Sequence, residues 1–203
     1  MTIITPDRDE FLRTVGEAVE AYARVEASLA RLLSTILEID AWEAEVVFYT
    51  IQNVKSRNEM FRNLMANKFN ARYDAYWKSA ANYLNILSAF RNALVHWHPQ
   101  PNAVVGGISY IESAIRNPMP GKTVKLNRKS IAPFLDDCSY IRGEIDHLAG
   151  AIRAAYSGKT DEASLEKFSQ TLTRRNQSVL EPPPMRKAPE PPPASSRRPP
   201  QSD

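Results

Sequence analysis

The stretch YDAYWKSAANYLNILSAFRNALVHWHP, Tyr73 to Pro99, decides how this chain is read. Tyr73, Tyr76, Trp77, Ala80, Tyr83, Leu84, Leu87, Phe90 and Leu94 recur at spacings of three and four. Side chains spaced this way fall on one face of an α-helix, so the pattern predicts a helix over about 72–97 with a single buried stripe. His98 precedes Pro99, and a residue before proline is pushed out of the α region. The helix is therefore expected to end around His96 to His98. Its last turns carry Arg91, Asn92, His96 and His98 within eight residues, the only dense cluster of catalysis-capable side chains in the chain.

The same periodicity extends outward. Phe11, Val15, Ala18, Tyr22, Val25, Leu29, Leu32 and Ile36 make a heptad-like stripe and predict a helix over 7–39. Asp7 with Glu10, and Asp40 with Glu43, have the spacing of capping boxes, which predicts a break near Ile39 and a restart at Ala41. The second helix is expected to run to about Phe69, with Val47, Ile51, Val54, Phe61, Leu64 and Met65 inward. Residues 99–129 change character, with β-branched runs between Gly, Pro and Asn, and predict a small β-hairpin or an irregular excursion. A further helix follows over about 131–156, with Phe134, Leu135, Cys138, Ile141, Ile145, Leu148 and Ile152 as its stripe and Ser157-Gly158 at its close. A short last helix is expected near 161–173.

The expected fold class is all-α: a four- to five-helix up-down bundle over 1–173, with the 99–129 excursion between its third and fourth helices. Nine of the 15 prolines lie in 182–200. Such a segment buries too little apolar area to offset ordering, so 174–203 is expected to be a disordered, proline-rich tail that samples polyproline II.

Charge and composition narrow the function classes. The net charge of +3 comes from the tail, since the 26 basic and 23 acidic residues divide evenly at 20 each before Arg174. A balanced body argues against broad, charge-driven coating of nucleic acid but leaves room for a local basic site. No apolar run approaches the roughly 18 residues of a membrane helix, and the start lacks signal-peptide features, so a cytoplasmic protein away from membranes is expected. The lone Cys138 has no disulfide partner and sits on an apolar stripe, which reads as core rather than nucleophile.

Within the cluster, Asn92 and His96 are one turn apart on one face, and continuing that face backwards reaches Asn85 and Asn82. Arg91 lies about 140° round the helix from His96, at the edge of the apolar stripe. Two readings are open. Cationic and polar groups gather at a helix C-terminus because they satisfy its last carbonyls and oppose its negative end. The same groups can also do chemistry: His moves protons near neutral pH, and Arg presents a fork of donors to phosphate oxygens.

The hexapeptide RNALVH, Arg91 to His96, resembles the R-N-x-x-x-H signature of HEPN domains, all-helical bundles found in many prokaryotic ribonuclease toxins and antiviral effectors. The resemblance covers this hexapeptide and the order of the bundle. It implies a metal-independent endoribonuclease that cleaves RNA by 2′-hydroxyl attack, in a toxin–antitoxin or defence setting, with a composite site across a homodimer. On that reading His96 transfers protons, Arg91 holds the phosphate and Asn92 supports them, while Asn85 and His98 bind substrate. RNA is then the substrate, an antitoxin or regulatory protein a further partner, and no cofactor is needed. The competing reading is a catalytically silent helical module that binds a partner protein or a nucleotide.

Other motifs carry less. His96 and His98, as neighbours i and i+2 on a helix, point about 200° apart, and no Cys lies near, so no metal site is expected. Lys55, Arg57 and Arg62 read as a solvated helix face or as contacts to an RNA backbone. Lys122, Lys125, Arg128 and Lys129 make the excursion basic and are expected to steer an anionic substrate if they lie near the cluster.

Overall fold

The computed structural model describes residues 6–96, 98–101, 108–112, 125–159 and 166–172. Its helices are α1 (Pro6–Leu37), α2 (Ala41–Thr50), α3 (Val54–Phe69), α4 (Asp74–His96) and α5 (Arg128–Tyr156). Between α4 and α5 lies a three-stranded antiparallel sheet of β1 (His98–Pro101), β2 (Ile108–Glu112) and β3 (Lys125–Leu126), in that order. The expected excursion thus holds an antiparallel β1–β2 pair, to which β3 adds a third strand. Of the short helix expected near 161–173, residues 166–172 are described; they hold one 3-10 turn, Lys167–Ser169, and 170–172 are not helical. The expected tail, 174–203, lies outside the described residues.

Contacts between helices give their directions. Glu26 pairs with Arg57 at 2.7 Å and Glu38 with Lys68 at 3.2 Å, so α1 and α3 run the same way. Glu10 pairs with Arg128, and Thr35 accepts from Arg153, so α5 also runs with α1. Phe90 stacks on Phe134, whereas Tyr83, earlier in α4, meets Asp137, later in α5, so α4 runs against them. With α2 leading back along α1, the helices alternate in direction along the chain as an up-down bundle.

The stripes read from the sequence form the core. In α1, Phe11, Ala18, Tyr22, Val25, Leu29, Leu32 and Ile36 are buried, and Val15 packs against them half-buried. All nine stripe residues of the Tyr73–Leu94 stretch are buried. In α5 the whole stripe is buried except half-buried Leu135.

The expected 41–69 helix is two helices. The break falls at 51–53, where Asn53 leaves helical geometry and its side chain accepts from the backbone N–H groups of Lys55 and Ser56. Asparagine is a strong N-cap because its short amide satisfies these orphan donors. The break re-aims the chain: Ala44 and Phe48 are the buried residues of α2, while Val47 is exposed. The α1–α2 turn does fall near Ile39, with Glu38 in the left-handed region at φ 57. The capping box expected there does not form, because Asp40 occupies the N-cap position without a side-chain hydrogen bond. Asp7 lies inside α1, which starts at Pro6, a residue suited to a first helical position. A capping box closes the start of α5 instead: Asn127 and Ser130 each accept the other's backbone N–H.

Candidate functional site at the end of helix α4

Helix α4 carries the cluster because its inner face is anchored along its length. Trp77 packs on Phe61 with ring centroids 4.8 Å apart, and its indole N–H donates to the Asn58 carbonyl at 2.9 Å. Asn58 in turn donates to the Ala81 carbonyl and to Asn85 Oδ1. Near the end of the helix, Phe90 stacks on Phe134 at 4.6 Å, and Ala93 and Leu94 are buried. Arg91, Asn92 and His96 then project from a fixed rod. Arg91 is half-buried, and Asn92 and His96 are exposed. The Arg91 guanidinium donates from Nη1 to Asn92 Oδ1 at 3.1 Å. That bond holds one edge of the fork and leaves the remaining guanidinium N–H groups for another acceptor.

The helix ends at His96, as the proline three residues beyond predicts. His98 is therefore not on a continued helix face with Arg91. It opens strand β1, opposite Glu112 of β2. Asn85 lies seven residues before Asn92, about 10 Å along the helix, and its side-chain oxygen serves the seam between α3 and α4. The polar stripe of Asn82, Asn85, Asn92 and His96 is exposed, with Asn85 reaching its neighbouring helix.

The basic groups considered for RNA are divided by the fold. Arg57 is held by Glu26 and lies over the Phe48 ring at 4.7 Å, so it serves the α1–α2–α3 junction. Lys55 and Arg62 are exposed. Arg128 pairs with Glu10 at 3.0 Å, which removes it from a steering role, and Lys129 is exposed. Lys122 lies outside the described residues. Cys138 is buried and its thiol is pushed up to about 12, mainly by that burial, so it is no nucleophile.

Spacing alone did not single out a second feature. A groove of about 550 Å³ runs along α5, lined by Asp136, Asp137, Ser139, Tyr140, Glu144 and His147 among others. Behind it, the Tyr83 hydroxyl donates to buried Asp137, and the Tyr76 hydroxyl has no hydrogen-bond partner among the described residues. Burial, with Glu144 and Tyr140 nearby, raises the Tyr76 hydroxyl far above its ordinary range. The sequence signal was the placing of Asp136, Asp137, Glu144 and His147 within three turns of one helix. Among the described residues, no group of three or more His, Cys, Asp and Glu is arranged to hold a metal ion. No described helix is long and apolar enough to cross a membrane. Compared with known proteins, the chain matches no family model, no curated protein and no solved structure.

Proposed function

We propose that the chain is a metal-independent endoribonuclease of the HEPN type, acting as a toxin or defence effector, with Arg91, Asn92 and His96 as its catalytic residues. The observation that carries this reading is their disposition on α4. Arg91 and Asn92 are joined by a hydrogen bond, and His96 lies exposed about one turn further on, at the free end of a helix whose other face is locked in the core.

The chemistry suits the groups. Attack of a ribose 2′-oxygen on the adjacent phosphorus needs a group that takes the hydroxyl proton and a group that returns a proton to the leaving 5′-oxygen. Histidine, which changes charge near neutral pH, does both kinds of transfer. The phosphorane carries extra negative charge, and the Arg91 fork offers it paired N–H donors. The Asn92 carbonyl oxygen fixes the orientation of that fork. One protomer supplies one histidine at this place, so two copies meeting at the α4 ends would supply both proton-transfer groups and enclose the phosphate. His98 and Asn85 join the reading only as contacts to RNA flanking the cut, His98 from the first residue of β1 and Asn85 from two turns back along α4.

A second reading rests on a specific observation. Three grooves of the described residues are lined from α1, from the end of α3 with the turn that follows it, and from α5, and neither Arg91 nor His96 lines them. A helical module that binds a partner protein or nucleotide without cleaving anything fits that arrangement.

One experiment separates the two. A mixed RNA pool is incubated in EDTA with the wild-type protein, with His96→Ala and with Arg91→Ala. The nuclease reading expects fragments ending in 2′,3′-cyclic phosphate from wild type alone. Absence of cleavage by folded, dimeric protein would overturn it in favour of the binding module, and equal cleavage by all three would remove these residues from the chemistry.

A further inference from the structure

Helix α2 is apolar on both sides. Ala44 and Phe48 face the core, with Phe48 set edge-on to Phe61. On the opposite side, Trp42 is 71% exposed, Val46 49% and Tyr49 50%. At about 100° per residue these three fall within roughly 60° of one another, in a strip about 10 Å long. Glu45 lies on one side of the strip and Glu43 on the other, both exposed. Glu45 is close enough to Tyr49 to raise its hydroxyl pKa, after the larger effect of burial and that of Glu26. Leaving a Trp and a Tyr in water on one short helix forgoes their burial, and a contiguous apolar strip with a charged rim marks a contact surface.

We propose that this outer face of α2 is the docking site for the basic, proline-rich segment 182–200 of the chain itself. Three matches point to that occupant. The first is charge. The segment holds Arg186, Lys187, Arg197 and Arg198 against the single acid Glu190, and the strip is flanked by glutamates. The same flanks repel phosphate, so a nucleic acid is not the occupant. The second is spacing. A polyproline II segment repeats every three residues, about 9 Å, and its prolines stack on aromatic rings. Trp42 and Tyr49 are seven residues apart, about 10.5 Å along α2, so Pro189 and Pro192, one polyproline II turn and about 9 Å apart, match the two rings.

The third is reach. Leu172, the last described residue, donates its backbone N–H to Ser79 in the second turn of α4. That turn lies at the end of the bundle where α1 and α3 finish and α2 begins, since Phe69 meets Tyr73 and Lys68 meets Glu38 there. Nine residues, 173–181, separate Leu172 from the segment, enough for roughly 30 Å at about 3.3 Å per residue. Crossing two helices needs on the order of 20 Å. Tethering at that range gives a short, weakly binding motif a high effective concentration. The strip is also small beside the roughly 800 Å² per partner of a stable dimer, which favours a peptide over a second copy.

The test uses the full-length, ¹⁵N-labelled protein and reads the indole N–H signal of Trp42, identified by its loss in Trp42→Phe. Reversing Arg186, Lys187, Arg197 and Arg198 to Glu is expected to move that signal, and so is the pair Glu43→Lys with Glu45→Lys. Combining the two sets restores the charge match and is expected to return the signal towards its original position. The substitutions in the segment replace no residue of the described core, so the bundle is expected to stay folded. A Trp42 signal that ignores the segment's charge overturns the proposal. A signal that shifts on dilution whatever the segment's sequence overturns it too, because a second copy would then cover the face. The outcome does not depend on whether the chain cleaves RNA.

Discussion

Helices α2 and α4 are both rich in aromatic and aliphatic residues, yet they sit in the bundle differently. In α4 the apolar residues keep the 3.6-residue period, and ten side chains are buried over 23 residues. In α2 they occur all round the helix, and of ten residues only Ala44 and Phe48 are buried. A one-sided stripe tells the helix which way to face. An all-round apolar helix has no such instruction, and its neighbours choose for it. Here the choice is made by Asn53, which ends the segment early and lets Phe48 turn towards Phe61 and Arg57. The difference teaches that hydrophobicity places a helix only when it is patterned.

The comparison is broken most directly at the two tryptophans. Trp77→Ala removes a buried ring and leaves the Asn58 carbonyl without its indole donor, so a loss of about 3–5 kcal/mol is expected by chemical denaturation. Trp42→Ala, on the outer face of α2, is expected to change stability by about 0.5 kcal/mol or less. Comparable large losses from both would mean that α2 is covered in the folded monomer by more than a peptide. Phe48→Ala sharpens the point, since it strikes the one large anchor of α2 and is expected to cost about 3 kcal/mol, with the helical signal of α2 lost first.

Smaller effects follow from single polar contacts. Tyr83→Phe deletes the donor to buried Asp137 and is expected to cost about 1–3 kcal/mol by thermal denaturation. Asn127→Ala removes half of the capping box of α5 and is expected to cost about 1 kcal/mol. His96→Ala is expected to fall within about 0.5 kcal/mol, because the ring is exposed. A larger loss would assign His96 to structure rather than chemistry.

The core also carries an alkaline signature. Burial pushes the Tyr22 hydroxyl up to about 12 despite its hydrogen bond with Ser88, and pushes the Cys138 thiol up to about 12. Both groups are neutral when protonated, and both lose their protons more readily unfolded. Their contribution is fully present below the unfolded values, near 9 for Cys and 10 for Tyr, and is lost as pH rises from there towards 12. The melting temperature is therefore expected to fall through that window, and Tyr22→Phe with Cys138→Ala to flatten the fall. A wild-type profile flat to pH 11 would contradict the burial of these groups.

The candidate cluster divides along the same line. That Arg91, Asn92 and His96 share the last turns of a helix follows from their spacing after Leu84 and Leu87 and before Pro99. The bond from Arg91 to Asn92 does not follow, because adjacent residues on a helix point about 100° apart and only the rotamers bring them together. That His98 leaves the helix follows from Pro99, but that it opens a strand does not, since only its pairing with β2 settles that. Arg128 reads as a free cation until α1 brings Glu10 beside it.

What the sequence by itself determined is the set of helices with a one-sided stripe, the faces they bury and the turn that follows α4, because periodicity and proline act through neighbours along the chain. What only the tertiary structure decided is the break within 41–69, the sheet between α4 and α5, the fate of each surface cation and the exposed face of α2. Each of those depends on a partner distant in sequence, and local spacing carries no information about which distant group arrives.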